Sequence, residues 1–165
     1  MTRDLAKLSE ALAAADVGER IRAAEQLSQL CGEASAAAVS LVRASGDPVE
    51  QVREWAVAAL EELGPPHATD VESLASLLDH PTPDVGYWAA TLLGRLGAKA
   101  ASATPQLAAA VQGGADLPLR QRAAWAVGKI GSAAAAAGPA LRQAASDADP
   151  RLARLARKAL EQIGG

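Results

Sequence analysis

The residues of this chain best equipped for chemistry are its three tryptophans and the cations that share their spacing. With the sequence folded back on itself every 33 or 34 residues, the position of Trp55 holds Arg22, Trp55, Trp88, Arg122 and Leu155. Three residues on, the column reads Glu25, Ala58, Thr91, Trp125 and Lys158, and four further on it reads Gln29, Glu62, Arg95, Lys129 and Gln162. Steps of three and four keep side chains adjacent on one helix face, so the tryptophans fall on one side of successive helices with Tyr87, Asp84 and the basic residues close by. The chemistry this suits is non-covalent. Tryptophan offers a large apolar area and one donor, and with arginine it is enriched where binding energy concentrates. The candidate partner-binding residues are therefore Trp55, Trp88, Trp125, Tyr87, Asp84, Arg22, Arg95, Arg122 and Lys129. Packing is the competing explanation, because a few tryptophans can fill space between helices otherwise built from alanine.

Signs of covalent chemistry are few. The chain has no HExxH, no GxxxxGK[ST], no GxSxG and no paired cysteines. His67 and His80 fall in loops at opposite ends of one helix, and neither is followed by Glu. Cys31 is the single cysteine, which leaves no internal disulfide or cysteine metal cluster; a buried thiol at a repeat boundary is its expected role. GRLGAK at 94–99 lies at a helix end and suits a turn better than a phosphate cradle. No catalytic residue, cofactor or metal is expected.

The elements that must position the tryptophans are read from Asp47 to Gly64, DPVEQVREWAVAALEELG. Asp47 and Pro48 stand at a helix start, where a carboxylate meets unpaired N–H groups and proline lacks only a donor that would go unused. Val52, Ala56, Leu60 and Leu63 make one apolar stripe, and Gly64 before two prolines is a stop. The pattern recurs through Ala23, Ala56, Ala89, Ala123 and Ala156, at separations of 33, 33, 34 and 33 residues. Gly86 and Gly94 weaken the third copy as a helix and leave room for a close neighbour or a ligand. Each second helix is preceded by a shorter apolar one, near 4–14, 34–44, 70–78 and from Pro105 and Pro139. Five pairs result, with bounds near 1–31, 32–64, 65–97, 98–131 and 132–165. A lone pair exposes an apolar face, and stacking makes one continuous core. The expectation is a single all-α domain over 1–165, a right-handed α-solenoid of about five helical hairpins.

Composition agrees: half of the residues are hydrophobic, phenylalanine is absent and aromatics make up 2%, which favours close-packed helices over sheet. No apolar run reaches the roughly 18 residues of a membrane span, and the first twenty residues lack a signal-peptide progression, so a cytoplasmic location is expected. The formal net charge of −3 hides an asymmetry, −8 over residues 1–82 and +5 over 83–165. That makes the chain a dipole, screened over about 8 Å at physiological salt.

DPVEQVREWAVAALEELG resembles the D-P-x-x-x-V-R-x-x-A-x-x-A-L pattern of HEAT repeats, with Asp47, Pro48, Val52, Arg53, Ala56, Ala59 and Leu60 in the matching places. Arg20 and Arg120 keep the arginine position, and Gly86 and Ala153 depart from it. The resemblance covers nearly the whole chain and implies that the second helices line a concave face. It also implies an interaction scaffold, binding a protein or peptide on that face. Self-association through the repeat ends is a secondary expectation, since another unit can follow Gly164. Nucleic acid and membrane are not expected partners. The alternative it implies is a HEAT-like enzyme, of alkylpurine DNA glycosylase or bilin lyase type. Trp88, Trp125, Asp84 and Arg122 loosely resemble the glycosylase set, but the acidic half would repel phosphate. The His-Glu pairs of HEAT-like deoxyhypusine hydroxylases are absent, and no distinctive lyase motif is present.

Overall fold

The computed structural model describes residues 2–113 and 116–164, all helix, turn or irregular, with no strand among them. They fall into two compact units, residues 1–70 and 71–165. The first unit holds α1 (Thr2–Ala11), α2 (Val17–Gln29), α3 (Ala38–Ala44) and α4 (Glu50–Glu62). The second holds α5 (Val71–Ser76), α6 (Pro83–Leu96), α7 (Thr104–Gln112), α8 (Leu117–Ile130), α9 (Gly138–Ala144) and α10 (Pro150–Ile163). Within each unit the helices form hairpins, and the hairpins stack through their second members: α2 on α4 in the first unit, α6 on α8 and α8 on α10 in the second. This is the all-α stacked-hairpin class expected of a solenoid.

The stripes account for the stacking. Val52, Ala56 and Leu60 are wholly buried in α4, as are Ala89 and Leu93 in α6, Ala123 and Val127 in α8, and Ala156 in α10. In the outermost repeats Leu160, at the register of Leu60 and Leu93, and Leu30, at that of Leu63 and Leu96, are only half-buried. Glu19, at the register of Val52 and Val85, stays exposed.

α3 and α5 are shorter than the apolar pattern suggests, while α7 and α9 begin one residue before Pro105 and Pro139, as expected. The run read as helix from Ala34 begins as a 3-10 segment, Cys31–Ala37, and equivalent segments span Gly97–Ala103 and Gly131–Ala137; a short one, Ala68–Asp70, precedes α5. In a 3-10 helix residues i and i+3 eclipse, and the pairs Ala34 and Ala37, Ala100 and Ala103, and Ala134 and Ala137 are all buried at 0–1% exposure. In these three repeats two alanines three apart are thus both packed inward. The same spacing is compatible with an α-helix, which is why the sequence alone does not separate the two forms. α1 likewise ends at Ala11 instead of Ala14, in turns closed by Ala13 N–H to Glu10 O and Ala14 N–H to Ala11 O.

Asp16, Asp116 and Asp149 cap α2, α8 and α10, accepting from the N–H groups of Glu19, Leu119 and Leu152. Asp47 sits earlier than a cap. Its carboxylate accepts from Val49 N–H at 2.8 Å, and α4 begins only at Glu50. Gly97 and Gly131 leave their helices at φ 58° and 75°, in the left-handed half of the map that favours glycine. Gly64 does not, since α4 unwinds through an extended Leu63. The expected loose turn at 113–116 includes Gly114 and Ala115, which lie outside the described residues, as does the Cys31 side chain.

An arginine ties each unit from repeat to repeat. In the first, Arg20 donates to both oxygens of Asp47, at 2.8 and 3.3 Å, and to the carbonyls of Ala14 and Ala15. In the second, Arg120 donates to Asp147 at 2.8 Å and to Val111 O at 2.9 Å. Asp147 also accepts from Asp149 N–H; that bond, with Arg120 second, holds its carboxyl below the usual aspartate range.

Candidate functional site

The second unit gathers most of the residues singled out above. Tyr87 and Trp88 stand side by side on α6, their rings edge to face at 88° with centroids 5.6 Å apart. Adjacent residues on a helix point about 100° apart, so this contact turns the pair into a corner, not a stack. Trp125 comes from the next second helix, α8. A Cβ at Gly94 of α6 would overlap the Trp125 ring, so the neighbour for which this glycine makes room is the tryptophan. Gly86 similarly admits Leu119, whose Cδ2 would lie 3.0 Å from an added Cβ.

Arg122 completes the arrangement. Its guanidinium carbon lies 4.6 Å from the Tyr87 ring centroid and 5.1 Å from that of Trp125, and its Nη2 donates to the Tyr87 hydroxyl. Lys129 brings its Nζ within 5.8 Å of the Trp125 ring from one α8 turn further on. Such contacts are worth about 0.5–1 kcal/mol at exposed sites and more when dry. Tyr87, Trp88, Arg95, Arg122 and Trp125 are half-buried, while Lys129 is exposed. Burial, and after it the positive charge of Arg122, lowers the pKa of Arg95, with Tyr87 opposing. The ion pair of Arg120 with Asp147 does not include Arg122 or Lys129.

The remaining candidates stand differently. Asp84 is exposed in the first turn of α6. Trp55 is half-buried on α4 and Arg22 exposed on α2, both in the first unit; Arg22 approaches Asp16 only at 4.0 Å, with both side chains about two-thirds exposed or more (67% and 70%). His80 Nδ1 accepts from Thr82 N–H in the turn before α6, and His67 is exposed. Among the described residues no three His, Cys, Asp or Glu side chains are grouped to hold a metal ion.

The candidate set lacks four residues that share the site, Pro118, Gln121, Arg151 and Leu155. A cavity of about 260 Å³ opens between α6, α8 and α10, lined by Tyr87, Pro118, Arg122, Trp125, Arg151 and Leu155 among others. Arg151 belongs to the column Gln51, Asp84, Pro118, Arg151, and Leu155 to that of Trp55. Carrying the first column through the last repeat would have found Arg151.

Residues 71–161 match the family described as HEAT repeats. No curated protein matches the chain. Among solved structures, the chain is similar to an engineered protein at 20% identity and TM-score 0.67, over 97% of this chain and 79% of that one. It is also similar to a designed armadillo repeat protein in complex with the peptide (KR)4, at 20% identity and TM-score 0.66, over 96% and 81%. A third is the complex of CpcE and CpcF of phycocyanin lyase from Nostoc sp. PCC7120, with 26% identity and TM-score 0.64, over 95% of this chain and 64% of that one. No helix among the described residues is long and apolar enough to cross a membrane.

Proposed function

The chain belongs to the HEAT repeat family, and from that premise we propose that it is a non-enzymatic scaffold binding a protein or peptide on the exposed face of its second helices. The observation that carries this reading is the half-buried arrangement in which the rings of Tyr87 and Trp125 hold the Arg122 guanidinium. Rings fixed by packing contribute contact area with little entropy left to lose, and an arginine held between them presents its free N–H groups in a set direction. The fold itself is compatible with such a role, since a similar designed repeat protein holds a peptide. Trp88 and Trp125 are the anchors, Arg122, Arg95 and Lys129 the polar contacts. In the first unit, considered by itself, Trp55 and Arg22 are the corresponding contacts. The scaffold works in the cytoplasm and without a cofactor.

The test is affinity capture from the native host with wild type, Trp88→Ala and Trp125→Ala in parallel, followed by cross-linking to map the contact. The expected result is a partner cross-linked to α6 or α8 and lost from both variants, with helix content unchanged by circular dichroism. Capture that survives both substitutions while thermal stability falls would show that the rings serve packing alone.

A lyase-type activity is the second reading, favoured by the similarity to the phycocyanin lyase complex. Incubation with phycocyanin and its chromophore tests it. Unchanged absorbance and no covalent transfer would eliminate it.

A further inference from the structure

We infer that the cavity between α6, α8 and α10 receives the carboxylate of a glutamate or aspartate side chain, so that the partner segment is an acidic peptide. The inference rests on the peptide-binding reading above and adds the partner's charge. Two arginines from different helices, Arg122 of α8 and Arg151 of α10, converge on this cavity. Arg122 is already oriented by the two rings and the Tyr87 hydroxyl, which preorganises a planar donor for a planar acceptor. Among the described residues, neither arginine is part of an ion pair. The nearby carboxylates of α8 and α10 have other duties. Asp116 caps Leu119 N–H, and Asp149 accepts from Leu152 N–H and from the Gln121 side chain. Asp84, the one acid at this register on α6, is exposed and unpaired with any of the cations.

Size supports one side chain over a whole ligand. At about 260 Å³ the cavity falls below the usual range for small-molecule sites, and Pro118 and Leu155 supply apolar wall for a methylene stem. Lys129 and Arg95, further along the same face, extend the positive field over neighbouring positions of the peptide. Residues 71–165 carry a net charge of +3 while residues 1–70 carry −6, so an acidic segment is drawn to the second unit.

The experiment measures fluorescence anisotropy of a labelled octapeptide alternating glutamate and leucine, with a lysine–leucine octapeptide and an eight-nucleotide oligothymidylate as comparison probes. The acidic peptide is expected to bind and to weaken as salt rises. Arg122→Gln and Arg151→Gln should each raise its Kd about tenfold, the loss of one charge-assisted contact, while Arg142→Gln on α9 leaves it unchanged. Arg151 is exposed, so its variant stays informative should Arg122→Gln disturb folding. Wild-type affinity in both cavity variants overturns the inference, as does failure of the acidic peptide to bind. A lysine–leucine peptide that binds as tightly, and depends on Trp125, overturns the charge assignment while leaving the scaffold reading intact. Tighter binding of the oligothymidylate overturns it in favour of a nucleic-acid backbone.

Discussion

At the scale of single residues, exposure decides which ionic contacts count. Arg20 and Asp47 are 12% and 9% exposed, and removing one member of such a pair strands the other. Asp47→Ala should cost about 2–4 kcal/mol in chemical denaturation, whereas Arg22→Ala, at a 4.0 Å contact in solvent, should change stability by less than about 0.5 kcal/mol. Asp147 allows a test of sign. Its folded pKa lies below the ordinary aspartate value, so its contribution is present above the unfolded carboxylate pKa and is lost as pH falls through the folded one. Asp147→Asn should therefore lower the melting temperature at neutral pH, and the gap from wild type should close on acidification below about pH 4. A gap constant with pH would assign the effect to something other than the charge. Gly94→Ala forces the Trp125 ring to move. The overpacking cost of about 1–3 kcal/mol outweighs the roughly 1 kcal/mol that alanine returns in helix propensity, so a net loss of stability is expected, together with weaker partner binding. Unaltered binding would mean the ring's position is immaterial to the partner.

At the scale of elements, the second helices were the legible part of the sequence, because each carries a four-residue apolar rhythm, closed in every repeat but the first by a glycine. Pro150–Ile163 and the start at Pro83 follow from that pattern directly. The first helices were less legible, since an alanine pair three apart satisfies an α-helix and a 3-10 turn equally. Asp47 was read as the carboxylate at the start of α4, but it lies two residues before the Val49 cap, and its bond to Arg20, 27 residues back, depends on how two hairpins meet. The candidate site shows the same division. Column arithmetic brought Tyr87, Arg122 and Trp125 to one face, but the ring-to-guanidinium geometry comes from helix packing, and Gly94 gave only the hint of a close neighbour. The packing predicts its own dynamics. Within its unit α8 packs on two second helices, α6 and α10, so its amides should exchange most slowly within residues 71–164, and those of α5 should exchange faster. Hydrogen-exchange mass spectrometry checks this; equal protection along α5 and α8 would contradict it.

At the scale of the whole molecule, two compact units carry opposite net charge, and the aromatic and basic residues of the candidate site concentrate in the second. Family membership defines the fold, and under the proposed reading the choice of partner lies with these few side chains. The gathering of Arg95, Arg122, Lys129 and Arg151 in one unit also governs behaviour at the bench. A chain with a formal charge of −3 would ordinarily pass straight through a cation-exchange column at neutral pH. This one should be retarded by such a resin through its second unit and held by an anion exchanger through its first, and Arg122→Gln with Arg151→Gln should shorten its passage on the former alone.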